Sequence, residues 1–185
     1  MTDDFPRLVS LACHDFRTPL ATMQGFAKTL LRRDDLDETT ARWLGMIETA
    51  GDELVELIEL VSVAARIEAG RYDPVVREVD SLKLARAAVP DAPGSGTPVR
   101  IDAPAVERSL AGLASAARRH GGVDVAVSVD GARVTVEPVT AEVAPIVLGN
   151  ELKDLGAAVA VRVVRAQGGS VEHDGDRIVV TLPAA

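Results

Sequence analysis

Two long stretches of helical apolar spacing, set back to back, constrain this chain more than any other feature it has. From Asp4 to Arg33 apolar residues recur at helical intervals, among them Phe5, Leu8, Leu11, Ala12, Phe16, Leu20, Met23, Ala27 and Leu30. A polar break, Arg33-Asp34-Asp35-Leu36-Asp37, offers acidic N-cap candidates, and Leu44, Ile47, Leu54, Ile58, Val61 and Ala65 then resume the period. It stops near Ala69-Gly70, where glycine suits a helix C-cap and Pro74 follows closely. The pattern predicts an antiparallel helical hairpin. Such a hairpin is too thin to bury its own apolar stripe, so pairing with a second copy into a four-helix bundle is the simplest cover, and a homodimer is expected.

The second half changes period. Asp80 to Val89 reads as a short helix, and Pro90 to Pro98 as a Pro/Gly-rich connection. Ala103 to Arg119 has helical spacing, whereas Val123 to Val129 alternates with period two. Asp130-Gly131 is a hairpin turn signal, with Arg133 to Val136 as the returning strand. Leu152 to Gln167 reads as a helix stopped by Gly168-Gly169, and a final hairpin joins Ser170–His173 to Ile178–Leu182 through Asp174-Gly175-Asp176. The order implies an α+β class: a helical-hairpin domain at 1–72, then a small α/β sandwich at 73–185 with helices on one face of a sheet.

Charge and composition narrow the partners. A formal charge of −8 with no concentrated basic face argues against nucleic acid. Cys13 is the sole cysteine, so no intrachain disulfide forms, and the plain reading is a small buried residue. No apolar run approaches the roughly 20 residues that span a bilayer, and Met1-Thr2-Asp3-Asp4 lacks the basic and apolar regions of a signal peptide. A cytoplasmic location with no membrane partner is expected.

The chemistry concentrates in His14-Asp15-Phe16-Arg17-Thr18-Pro19-Leu20. A chance match to H-[D/E]-x-R-T-P-L arises roughly once in ten million windows. His14 and Thr18 lie four residues apart, on one helix face about a turn apart, with Asp15 beside the histidine. Pro19 has no N–H, so the Asp15 carbonyl loses its helical partner and a bend is expected there. A neutral imidazole is a competent nucleophile near neutral pH, and a neighbouring carboxylate can orient the ring or accept its proton. A hydroxyl one turn away can hold a water in line with an acyl phosphate.

Residues Leu8 to Ala69 resemble the dimerisation and histidine-phosphotransfer domain of bacterial two-component sensor kinases. Ala65-Arg66-Ile67-Glu68-Ala69-Gly70, followed by Pro74 to Val79, resembles that family's exit into its catalytic domain. The resemblance implies that His14 is phosphorylated, that Asp15 assists the kinase step and that Thr18 supports phosphatase action, with Arg17 and Pro19 completing the motif.

The family's nucleotide-binding elements can be sought in the second half. Gly112 to His120 is similar to N-L-L-x-N-A-R-R-H, but Gly112 and Ala116 replace both asparagines, and with them the Mg²⁺-coordinating amide. Pro138, Thr140 and Glu142 align where the adenine-reading Asp and two glycines belong. Asp154 to Gly169 resembles the third element, yet only Gly156 survives of its phosphate-facing glycines, and Asp154 stands where another was expected. Eighteen positions from Pro138 to Gly156 leave little room for a nucleotide lid, and Pro90–Pro98 reads as having displaced part of the usual sheet. A triphosphate needs exposed backbone N–H groups, a metal and unobstructed approach. The expectation is a shortened fold that kept its packing and lost its ligand.

The closest resemblance is to the stand-alone dimeric histidine phosphotransferases of phosphorelays. It implies a phosphohistidine transferase that needs no ATP, taking phosphate from and giving it to response-regulator receiver domains, with a hybrid kinase as a further partner. No cofactor is expected on this chain, Mg²⁺ being expected from the receiver, and no metal site, since His120 and His173 read as structural or solvated. The alternatives are a response-regulator phosphatase, a divergent ATP-dependent histidine kinase, or a dimeric scaffold that sequesters a signalling partner without exchanging phosphate.

Overall fold

The computed structural model describes residues 4–185, and the chain divides into two compact units, Met1–Gly70 and Arg71–Ala185.

The first unit is a helical hairpin of α1 (Phe5–Leu31) and α2 (Glu38–Glu68). Asp37 starts α2: its backbone is extended, and its carboxylate accepts from the Thr40 N–H at 2.9 Å and the Thr40 hydroxyl at 2.6 Å. The Thr40 hydroxyl, then the backbone N–H, holds the Asp37 carboxyl below the usual carboxylate range. In the break, the Arg33 guanidinium does the same for Asp35. The face of α1 turned to α2 buries Cys13, Leu20 and Ala27, seven residues apart, and α2 buries Gly51, Ser62 and Ala65. Small residues let the helices approach closely: a Cβ on Gly51 would lie 2.8 Å from the Gln24 Cγ. Gln24 Nε2 donates to Asp52 Oδ1 at 2.7 Å and Lys28 meets Glu48 at 3.7 Å, which fixes the register of the pair. Large apolar side chains remain on the outer surface, Met23 and Phe26 on α1 and Trp43, Ile47, Leu54 and Leu57 on α2.

The second unit runs β1 (Arg77–Asp80), α3 (Ser81–Ala88), β2 (Gly94–Gly96), β3 (Pro98–Ile101), α4 (Ala103–Gly121), β4 (Ala126–Gly131), β5 (Arg133–Glu137), α5 (Ala144–Val147), α6 (Leu155–Ala166), β6 (Ser170–Asp174) and β7 (Arg177–Thr181). A five-stranded sheet has the order β2-β4-β5-β7-β6, with β2 parallel to β4 and the rest antiparallel; β1 and β3 form a separate antiparallel pair. Val127, Val129, Val134, Val136, Ile178 and Val180 alternate into one core with Leu84 of α3, Leu110 and Leu113 of α4 and Val161 and Val164 of α6. Each contributes on the order of 1.5–3 kcal/mol by leaving water. Ser128, Thr135 and Val179 on the opposite face are only half-buried. The expected two-layer α+β architecture is therefore present.

Several local expectations are corrected. Pro90–Pro98 does not replace part of the sheet: it contains β2, and β3 begins at its last residue. A Cβ on Gly94, whose φ is +124°, would fall on the Val129 carbonyl, so the strand approaches β4 through a residue that only glycine can occupy. The strand expected from Val123 starts at Ala126, because α4 runs on to Gly121 and closes on left-handed Gly122, leaving Val123 exposed in the following turn. The helix expected from Leu152 starts at Leu155, where Asp154 caps it. β1 and the single turn α5 add elements that the periodicity did not announce.

Candidate functional site

Burial of Cys13 and Leu20 against α2 turns the intervening residues of α1 outward, and His14, Asp15, Phe16, Arg17, Thr18 and Pro19 are all exposed. The helix continues through Pro19. His14 Nδ1 lies 3.2 Å from Asp15 Oδ1, with the two side chains 77% and 66% exposed. A carboxylate accepts and cannot donate, so this contact places the proton on Nδ1 and leaves the Nε2 lone pair facing solvent. The ring thus has one nitrogen engaged by a carboxylate and the other open to solvent.

Thr18 stands one turn further along the same face. Its carbonyl accepts from the Thr22 hydroxyl at 3.0 Å, while its own hydroxyl has no partner among the described residues. Arg17 is exposed and in no ion pair among the described residues. The motif thus presents an imidazole, a carboxylate, a hydroxyl and a guanidinium on one open surface.

The second unit holds the other concentration of charged groups. Asp154, with its side chain only 5% exposed, accepts from Arg119 Nη1 at 3.0 Å and contacts His120 Nε2 at 3.1 Å through Oδ2. Its Oδ1 accepts from the Ala157 N–H at 2.9 Å and caps α6. Ala116 and Ala160 are buried, and a Cβ on Gly112 would meet the Gly156 carbonyl at 3.6 Å, so α4 and α6 pack directly on one another here. At the positions aligned with nucleotide-binding elements, the small side chains therefore serve helix packing, and a carboxylate sits at the start of α6. His173 donates through Nε2 to the Val139 carbonyl at 3.0 Å, a structural bond that ties the loop after β5 to β6. Among the described residues no group of three or more His, Cys, Asp or Glu side chains is arranged to hold a metal, and no helix is long and apolar enough to cross a membrane.

The histidine motif was legible in the sequence, but the Arg119–His120–Asp154 cluster was not joined there. Its one local signal was an Asp three residues before the N–H it caps.

Residues 7–70 match the family model of the His Kinase A (phospho-acceptor) domain. The chain is similar to the probable sensor histidine kinase TcrY of Mycobacterium tuberculosis, 33% identical over 91 residues that are 49% of this chain and 19% of that protein. It is also similar to the phosphate regulon sensor protein PhoR of Pseudomonas aeruginosa, 31% identical over 121 residues, 65% of this chain and 22% of that one. The chain spans about a fifth of the length of these curated relatives. Among solved structures it is similar to full-length ShkA in complex with AMPPNP, with a TM-score of 0.67 and 22% identity over 97% of this chain and 47% of that one. It is similar as well to the histidine kinase AdeS of Acinetobacter baumannii, with a TM-score of 0.55 and 17% identity over 92% and 97% of the two chains. At these identities the structural likeness is one of fold.

Proposed function

We propose that this chain, whose first unit is a His Kinase A (phospho-acceptor) domain with the histidine-kinase fold, acts as a histidine phosphotransferase. In this reading His14 accepts a phosphoryl group from the aspartate of one receiver domain and passes it to another, without ATP. The observation that carries it is a contrast within one chain. His14 is exposed with Nδ1 engaged by Asp15, whereas the positions that would contact nucleotide are filled by packing alanines and a capping carboxylate.

The step balances without any group from the second unit. The Nε2 lone pair attacks the phosphorus of the receiver's acyl phosphate, the N–P bond forms, and the P–O bond breaks with its electron pair leaving on the receiver's carboxylate. The ring keeps its Nδ1 proton, and Asp15 offsets the charge that appears on the imidazolium. Transfer onward is the reverse, with a second receiver's carboxylate as nucleophile. The divalent cation such a transfer uses comes with the receiver's own acidic pocket.

The exposed apolar residues Trp43, Ile47, Leu54 and Leu57 support pairing of two copies into a four-helix bundle. A second activity, hydrolysis of a receiver's phospho-aspartate, is favoured by the unengaged Thr18 hydroxyl one turn from His14. There it would orient the attacking water.

The test is to incubate the purified chain with radiolabelled ATP alone, and separately with a receiver domain charged with labelled acetyl phosphate. Label on His14 in the second incubation only is the expected result. Label from ATP alone overturns the nucleotide-free reading, and label in neither favours a scaffold.

A further inference from the structure

The outer surface of α2 carries a shallow groove of about 530 Å³ lined by Arg42, Gly45, Met46, Thr49, Ala50 and Glu53. α2 packs on α1 through Gly51, Ser62 and Ala65. Arg42 stands nine residues before Gly51 and Glu53 two after it. At about 100° per residue both lie roughly 180–200° around the helix from Gly51, on the side turned away from α1. The apolar stripe of Trp43, Ile47 and Leu54 runs between these two faces, so the groove is distinct from the surface that a four-helix bundle would cover. Its floor is made of small groups. A Cβ on Gly45 would meet nothing within 4 Å, so a single chain has no need of glycine there, although glycine weakens a helix interior relative to alanine. Gly51 differs, since a Cβ there would run into Gln24. The Thr49 hydroxyl donates to the Gly45 carbonyl at 3.0 Å and asks for no outside partner, and Met46 stands beside this floor 64% exposed. Arg42 and Glu53 close the two ends with opposite charges, and neither is in an ion pair among the described residues.

The lining is self-complementary. About a midpoint between Ile47 and Glu48, Arg42 lies as far toward one end as Glu53 toward the other, Gly45 as far as Ala50, and Met46 as far as Thr49. A twofold axis at that midpoint, perpendicular to α2, lays a second copy of the helix antiparallel on the first. Gly45 then shares a level with the partner's Ala50, Met46 lies beside the partner's Thr49, and Arg42 faces the partner's Glu53. The charge pairs form at both ends, about 8 Å from the axis at the helical rise of ~1.5 Å per residue. We propose that this groove is a self-association surface through which two copies of the chain pair antiparallel along α2, in addition to any four-helix bundle and on a different face of the helix. A single helix crossing belongs with the smallest specific interfaces, below about 1,200 Å², so the pairing is weak and appears as concentration rises. It is independent of the phosphotransfer reading.

The experiment follows the mass of the full chain by sedimentation equilibrium from low micromolar to several hundred micromolar. It compares the wild type, Arg42→Glu, Glu53→Arg, the double variant carrying both changes, and Gly45→Leu, with helical circular dichroism to verify folding. The wild type is expected to show a further doubling of mass as concentration rises. Each single charge variant sets like charges against each other at both ends and should weaken that step about tenfold or more. The double variant exchanges the two charges and should restore it. A one-to-one mixture of the two single variants should restore it as well, because each then meets the opposite charge at both ends although both chains remain net negative. Gly45→Leu fills the floor and should abolish the step while helix stability holds or rises. Should one charge variant fail to fold, the other and Gly45→Leu decide. A wild type that never gains the further step assigns the groove to a different partner or to none, and overturns the proposal. So does a step that the single variants and Gly45→Leu leave intact, or one that neither the double variant nor the mixture restores.

Discussion

Replacing Asp15 with asparagine isolates what the carboxylate contributes to His14. The variant keeps an oxygen that can accept from Nδ1 and removes the charge that would face the phospho-imidazolium. Asp15 Oδ1 and His14 Nδ1 are 3.2 Å apart and both side chains are largely exposed. With water-like screening a unit-charge pair at that distance is worth about 1 kcal/mol, in line with the ~0–1 kcal/mol of exposed pairs. That lowers the transfer rate about fivefold, not by orders of magnitude. The assay is the single-turnover rate at which label passes from a charged receiver to His14, with receiver in excess. Near 1 M salt the screening length falls to about 3 Å and the two rates should converge. A loss of a thousandfold or more would show that Asp15 is an obligatory proton acceptor, and no loss at all would show that its charge contributes nothing to transfer; either refutes the reasoning.

Other consequences follow from the fold. Leu54→Lys places a charge in the exposed apolar stripe of α2 and should convert a dimer into monomers, read by light scattering at micromolar concentration. Leu113→Ala empties a fully buried site under the sheet and should destabilise the second unit by about 2–5 kcal/mol, measured by hydrogen exchange in α4 and α6 during urea unfolding. The Asp37 cap is pH-linked: its native carboxyl titrates below the unfolded value of about 3.9. Its contribution is therefore fully present above that value and lost as pH falls through the lower native one. Helical circular dichroism from pH 7 to pH 2 should show this acid-linked component in the wild type, and Asp37→Ala should lack it.

The parts of the molecule legible in the sequence are those whose signals are local and repeated. Over α1 and α2 the apolar period is long enough to survive interruptions, and the outward-facing His14 motif is contained in one turn and a half of helix. The second unit was read correctly where valines alternate, as in β5 and β7. Gly94-Ser95-Gly96 could not be read as a strand because it has almost no side chains to alternate. Its strand character comes from close approach to Val129, a tertiary requirement. Helix starts at Asp80, Asp102 and Asp154 are each marked by a carboxylate accepting from the N–H three residues on, a signal finer than the apolar period. Asp154 also illustrates the limit. Its partners Arg119 and His120 lie 35 and 34 residues away, and only packing of α4 against α6 brings them together.

Two receiver domains test the account most directly. One is charged with labelled phosphate, the second is left uncharged, ATP is omitted, and this chain is added in catalytic amount. The prediction is that label moves from the first receiver to the second, that a labelled intermediate maps to the peptide bearing His14, and that His14→Gln stops both. Movement of label that persists in His14→Gln would contradict the claim that His14 is the relay.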